Sequence, residues 1–426
     1  MKKAHTLKNG LKYIKIPLQS TKAITLMALF PVGSRYENKK ISGASHFVEH
    51  MLFKGTKKRP TYIDISKELD SVGAEYNAFT NKDYTGYYIK INSAKQELAF
   101  DMLSDILFNS NFDKEEVEKE KGVIVEELRM YEDNPTYAVD NLFDQTFFRD
   151  HPLGWDIGGT IKTVKGISRD ELYDYYKKYY HVGNMILVVS GNIDKKDFFK
   201  NIKYFNVHSD KAIGLKKVRA YKKYTFPKGK ISPSNRVGIK RKKTDQAHVV
   251  LGFPGLRHDH KDKYALAVLT SILSGGMSSR LFVEVREKRG LAYAIGAGVS
   301  PYRDVGVFEI KAGLDPARLE EAMRVIRDEL IKIKKQTVSI RELTDAKNYI
   351  IGHMALSLED SSTQAEWHAK GFWFNKKIFS YSQVAREIKK VSQEDVRALA
   401  GRIFDIDNMR MAVISNLTKQ KLLKII

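Results

Sequence analysis

Apolar positions along the chain follow two periods. Ile24–Pro31, Tyr84–Ile91 and Met185–Ser190 are short apolar or alternating runs that predict strands, the last closed by Gly191-Asn192. Ser42–Lys54, Thr61–Val72, Glu97–Phe108 and Lys114–Tyr131 carry apolar residues at helical spacing. Gly55 and Gly73 follow the first two helices as stop signals. Asp113, three residues before Glu116, predicts a capping box for the last, and Asn134-Pro135 its end.

The second half repeats the first. Tyr88-Ile89-Lys90-Ile91, with Leu98 in the helix that follows, matches Glu309-Ile310-Lys311-Ala312 and Leu319 at an offset of 221, from 88 to 309. Ile24–Pro31 with a helix at Ser42 matches Val249–Pro254 with a helix at Lys263, and Gly73–Tyr76 matches Gly290–Tyr293. The expected fold is α+β: two homologous domains, each a mixed or antiparallel sheet packed with helices. The boundaries expected are 1–210, a basic stretch 211–243, and 244–426. That stretch holds 13 Lys/Arg and no acid, with Pro227, Gly229, Pro233 and Gly238 as breakers. It reads either as a solvated interdomain linker or as a surface for acidic partners.

A length of 426 residues suits two large domains, and 42% hydrophobic with 29% charged residues is ordinary for a globular chain. The absence of Cys excludes a disulfide scaffold, thiolate metal sites and a cysteine nucleophile, so a transition metal must be held by His and carboxylate. A net charge of +22 raises nucleic-acid binding, but no helix-turn-helix, RNP pattern or aromatic stacking platform accompanies it, so no nucleic-acid partner is expected. No apolar run approaches the ~18 residues of a membrane helix, and no apolar h-region follows Lys2-Lys3. A cytoplasmic protein with no membrane partner is the expectation.

The chemistry concentrates in His46-Phe47-Val48-Glu49-His50. Helical residues four apart lie one above the other, so both imidazoles can reach one Zn²⁺ at ~2.0–2.1 Å. Glu49 falls between them in projection, and Ala44, Val48 and Met51 lie on the opposite side. The other reading is a chance match of two ordinary surface histidines. A mononuclear site needs a third ligand. On Lys114–Tyr131, Glu120 and Glu127 flank the stripe of Val117, Ile124, Leu128 and Tyr131, whereas Glu126 points away. Carboxylates beside a core are costly unless paired or metal-bound, which selects Glu127 as ligand with Glu120 in support. Pairing of both with Lys119 or Lys121 is the alternative.

HFVEHMLFKGT and EKEKGVIVEELRMYEDNP together resemble the inverzincin peptidases, which include the mitochondrial processing peptidase and the insulin-degrading enzyme. Asn77–Thr80, His151–Gly154, Gly158–Thr160, 179–192 and 281–293 also match, so the resemblance spans nearly the whole chain, in its short two-domain branch. It implies a zinc metalloendopeptidase acting on peptides or unfolded segments inside a closed chamber. His46, His50 and Glu127 would bind one zinc per chain, Glu49 would be the general base and Glu120 the supporting acid. Asn77, Ala78, Phe79 and Thr80 would pair with the substrate backbone. Arg286 and Tyr293 would contact substrate and the oxyanion, although Tyr293 also reads as a core aromatic. The resemblance further implies a homodimer with the Arg/Tyr pair acting across the interface, or, alternatively, a non-catalytic subunit of a processing complex. By the repeat alone, Ala346 and His353 stand opposite Glu120 and Glu127, Leu69 opposite Arg286, and Tyr76 opposite Tyr293. Only the first half can then hold the metal, and only the second carries the arginine.

Overall fold

The computed structural model describes residues 3–206 and 221–425. The described residues form eleven strands, and the short apolar runs of the sequence fall on β3, β5, β6, β8 and β10: β1 (His5–Thr6), β2 (Lys12–Pro17), β3 (Ala23–Phe30), β4 (Glu75–Thr80), β5 (Thr85–Asn92), β6 (Ile186–Gly191), β7 (Val237–Arg241), β8 (Ala247–Gly255), β9 (Ala292–Pro301), β10 (Gly306–Leu314) and β11 (Arg410–Ser415). They form a six-stranded sheet, β1-β2-β6-β3-β5-β4, and a five-stranded sheet, β7-β11-β8-β10-β9. In the first, β2 and β6 are parallel and the rest antiparallel; in the second, β7 and β11 are the parallel pair. Both sheets therefore share one strand order and one pattern of direction, as a duplicated α+β unit requires. Gly73 and Gly290, which precede β4 and β9, both take positive φ, at 65° and 58°. That backbone position favours glycine, and it recurs at equivalent points of the repeat.

α1 (Ala44–Met51) starts two residues later and ends three residues earlier than its apolar pattern, with no side-chain cap at Gly43. α2 (Tyr62–Asp70) starts at a Thr61/Asp64 capping box, and α3 (Gln96–Phe108) packs under the first sheet. α4 (Lys114–Asp133) begins with Asp113 Oδ1 accepting from the backbone N–H of Glu115 and Glu116 at 2.9 and 3.2 Å. Asn134 ends α4 and caps the next helix, α5 (Pro135–Phe148), accepting from Thr136 N–H at 3.0 Å with Pro135 in its first turn.

The compact units are not the contiguous stretches expected. One comprises Met1–Arg129, Trp155–Lys222 and Ser357–Ser380, and the other Met130–Gly154, Lys223–Leu356 and Tyr381–Ile426. Two helices have changed sides. In the second unit, α5 lays Val139, Phe143 and Phe147 on Val250, Ala412 and Ile414 of its sheet. In the first, the helix Ser361–Asn375 lays Ala365 and Ala369 on Ile14, Met27 and Val188. The physical reason is visible in the central strands: every residue of β6 and β11 is buried, so each sheet needs a layer on both faces. Helical periodicity shows that a face is apolar but not which sheet it will cover. The basic stretch is also corrected. Residues 211–220 lie outside those described, but Val237–Arg241 is not linker: it is β7, paired in parallel with Met411–Ser415. Its short alternation of Val237 and Ile239 is easily lost among the surrounding lysines.

Candidate metal centre

The site is built on α1, α4 and β4, and its residues all lie in the first unit. α1 buries Ala44, Phe47, Val48 and Met51 and turns His46 and His50 to its other side. Its start is fixed by Gly43, at φ 99°, where a Cβ would come within 2.6 Å of the Gly158 carbonyl oxygen. The buried Glu37 accepts hydrogen bonds from the backbone N–H of Gly43 and Ser45, each at 2.7 Å. Ser45 Oγ and the Tyr175 hydroxyl lie 2.8 Å apart in a hydrogen bond. The first turn of α1 is thereby anchored on both sides of the residue preceding His46.

α4 meets α1 along the flank of its apolar stripe. Glu126 is exposed and paired with Arg129, and Lys119 and Lys121 pair with Glu116 and Glu118. Glu120 and Glu127 face α1 instead. His46 Nε2 and His50 Nε2 are 3.3 Å apart, and Glu127 Oε2 lies 3.6 and 3.5 Å from them. Among the described residues this is the one group of three or more potential ligand side chains that could hold a metal ion. Tetrahedral zinc with bonds of ~2.0–2.1 Å has ligand–ligand edges of about 3.3–3.4 Å. The triangle fits that size. His46 Nδ1 is buried with no hydrogen-bond partner, whereas His50 Nδ1 is 2.7 Å from Glu120 Oε1. That bond supports a tautomer with the proton on Nδ1 and a lone pair on Nε2. Glu120 Oε2 is in turn 2.5 Å from Lys54 Nζ.

Burial sets the electrostatics of the centre. It draws the His46 imidazole down to about 4, aided by His50 and opposed by Glu127 and Glu120, so His46 is a neutral donor at physiological pH. For His50 burial acts downward but is outweighed by hydrogen bonds to Glu120 and Glu127, which push it up to about 9, so the metal-free ring carries both protons and only loss of the Nε2 proton would give the tautomer that can ligate. Burial also raises the Glu49 carboxyl; Thr80 opposes this through its hydroxyl, which donates to Glu49 Oε2 at 2.5 Å. A carboxylate raised by burial is a stronger proton acceptor than one in water. Asp156 is raised by burial as well, against the backbone N–H of Gly158 and the charge of Lys82.

β4 is the edge strand of the first sheet, so Asn77, Ala78, Phe79 and Thr80 lie on a strand with one partner, β5, in register Asn77↔Tyr88 to Thr80↔Thr85. The Asn77 side chain accepts from Ala78 N–H at 2.8 Å. Arg286 and Tyr293 belong to the second unit. There the Arg286 guanidinium lies 5.6 Å from the Tyr293 ring and 4.7 Å from that of Phe282. Tyr293 is 76% exposed, so it is not a core aromatic. The second unit lacks the paired imidazoles: its helix Lys263–Ser274 contains neither His nor Glu, Ala346 occupies the place opposite Glu120, and at the matching places only His353, opposite Glu127, is a possible donor. Sequence reasoning missed Glu37, Asp156 and Lys54. For Lys54 a signal existed, since it follows His50 by four residues; for Glu37 and Asp156 none did, because only folding brings them to α1.

Fold and donor set together define a duplicated α+β protein whose first half brings an H-x-x-E-H helix and Glu127 into one group that could hold a metal ion. The comparisons give that class its family. Residues 15–161 match the family "Insulinase (Peptidase family M16)", and residues 166–350 match "Peptidase M16 inactive domain". A Streptomyces coelicolor protein called an uncharacterized zinc protease is 36% identical over 93% of this chain and 85% of its own. The uncharacterized zinc protease YmxG of Bacillus subtilis is 34% identical over 97% and 98%. A protease from Helicobacter pylori has the same fold, with a TM-score of 0.85, 25% identity, and 97% and 99% coverage. The chain belongs to peptidase family M16. No helix among the described residues is long and apolar enough to cross a membrane.

Proposed function

We propose that this protein is a zinc-dependent endopeptidase for peptides or unfolded segments. The observation that carries the reading is the convergence of His46 Nε2, His50 Nε2 and Glu127 Oε2 within 3.3–3.6 Å of one another, with Glu49 on the same helix. Those three side chains would hold the zinc. When bound, zinc supplies Lewis-acid polarisation of the scissile carbonyl and lowers the pKa of water towards ~7. Glu49 takes the proton of the attacking water and delivers it to the leaving amine. Thr80, by donating to one Glu49 oxygen, fixes the carboxyl rotamer for that transfer. The open edge of β4 offers backbone groups of Asn77 to Thr80 to an extended substrate. Arg286 and Tyr293 stabilise the oxyanion, reaching it from a second copy in a homodimer whose two halves enclose the substrate.

The test is Glu49→Gln. The variant keeps the three donors and should bind one zinc per chain while losing hydrolysis of a quenched fluorogenic peptide by at least ~10². Hydrolysis at the unsubstituted rate would remove Glu49 as base. Absence of hydrolysis in the zinc-loaded unsubstituted protein, across a broad peptide library, would favour a non-catalytic partner subunit.

A further inference from the structure

Lys54 is placed to act on the metal centre without touching it. It lies in the turn that follows α1, its backbone N–H bonded to the Met51 carbonyl at 3.1 Å. It follows His50 by four residues, and the turn brings its ammonium to the same carboxylate as the His50 ring. Glu120 bridges them, with Oε1 at 2.7 Å from His50 Nδ1 and Oε2 at 2.5 Å from Lys54 Nζ. The Glu120 side chain is 4% exposed, so both of its oxygens must find partners within the protein.

We infer that Lys54 is a positioning residue for the metal centre: it fixes the Glu120 carboxyl plane so that Oε1 accepts from His50 Nδ1–H and the His50 Nε2 lone pair faces His46 and Glu127. A carboxylate held at one oxygen can rotate about its last bond; held at both, it cannot. The lysine charge also balances a carboxylate that lies beside a second one, since Glu127 Oε2 is 3.5 Å from the other nitrogen of the same imidazole. No other carboxylate among the described residues pairs with Lys54, so its charge is committed to this link. Its far side borders a cavity of about 990 Å³, lined also by Tyr62, Phe112, Lys114 and Arg169. The side chain is 24% exposed and its ammonium also lies 5.8 Å from the Tyr62 ring, so a long apolar replacement such as Met keeps its packing while removing the charge.

The inference rests on the zinc reading above. The probe is Zn²⁺ alone, its dissociation constant measured by chelator competition on the full-length chain for the unsubstituted protein, Lys54→Met, Lys54→Arg, Glu120→Gln and the double variant Lys54→Met/Glu120→Gln. Loss of such an outer partner weakens metal binding by ~10–100-fold. Lys54→Met should show that loss, Lys54→Arg should recover most of it, and the double variant should bind no more weakly than Glu120→Gln alone. Unchanged affinity in Lys54→Met would overturn the inference. So would a double variant whose loss equals the product of the two single losses, because Lys54 would then act independently of Glu120. Should Lys54→Met fail to fold, Lys54→Gln carries the same expectation. If the unsubstituted protein binds no zinc, the metal reading itself fails and this inference falls with it; tight binding in the unsubstituted protein with no effect at Lys54 overturns the inference alone.

Discussion

Glu37 offers a quantitative test of how α1, the helix of His46 and His50, is anchored. Its carboxyl is buried, and burial raises its pKa from 4.5 to about 7, against the opposing pull of the Ser45 and Gly43 N–H groups and the Lys82 charge. One pKa unit corresponds to ~1.4 kcal/mol, so that shift amounts to about 3 kcal/mol. The sign follows from proton counting. Between the two pKa values the native protein holds a proton on Glu37 that the unfolded chain has released, so stability falls as pH rises. The contribution is fully present below about pH 4.5 and lost by the time pH has passed through 7. Glu37→Gln cannot titrate. Its stability relative to the unsubstituted protein should therefore rise by about 3 kcal/mol between pH 4.5 and pH 8, on top of any constant offset from the changed hydrogen bonds. Groups titrating equally in both proteins cancel in that difference. Urea unfolding with chelator present, followed by tryptophan fluorescence, reads the correct unit, because Trp155, Trp367 and Trp373 all lie in the unit that contains Glu37. A difference that stays flat with pH would refute the reasoning. A change of opposite sign would mean that the two N–H bonds and the start of α1 hold Glu37 ionised against the cost of burial.

Three further outcomes follow from the same coordinates. Free zinc at 100 times its dissociation constant should stabilise the unsubstituted protein by ~2.7 kcal/mol; Glu127→Gln should lose most of that shift in thermal unfolding, and an undiminished shift would remove Glu127 from the ligand set. Gly86→Ala would place a Cβ 2.2 Å from Phe79 Cζ; it should cost ~1–3 kcal/mol in urea unfolding by forcing the ring and β4 to move, and full stability would show that β4 yields freely. Mixing Glu49→Gln subunits with Arg286→Ala subunits should restore peptide hydrolysis through one composite site per dimer. No recovery, with subunit exchange demonstrated, would place both sets within a single chain.

Local features of the fold were legible in the sequence because local physics produces them. β10 begins at Gly306, 221 positions after β5 begins at Thr85, the offset that the apolar pattern showed. That Glu127 rather than Glu126 approaches His46 and His50 needed only the angle between successive helical residues and the cost of a carboxylate beside a core. What stayed hidden was non-local. The apolar faces of α5 and Ser361–Asn375 do not state which sheet they cover, and β7 is a strand only because β11 runs beside it. Glu37 looks like a surface acid between Tyr36 and Asn38, and becomes an anchor only when the start of α1 folds over it.

The duplication explains why so few side chains separate the half with the His-His-Glu group from the half without it. Both sheets carry an edge strand preceded by a left-handed glycine, and both pack a helix of the same order against it. In the first half, Leu69 on α2 is fully buried and serves packing. At the matching place of the second, Arg286 lies in a π-helical segment, Phe282–Glu287, with its side chain 40% exposed. The wider turn of a π-helix alters which residues face inward, and such turns recur at functional sites. Where the first half places Glu120 to hold His50, the second has a buried Ala346, so the same scaffold has no carboxylate with which to orient an imidazole. One backbone thus carries two sets of side chains, a His-His-Glu group that could hold a metal ion on one copy and an exposed guanidinium on the other. The division is set by the few side chains that face the sites rather than by any change in strand order.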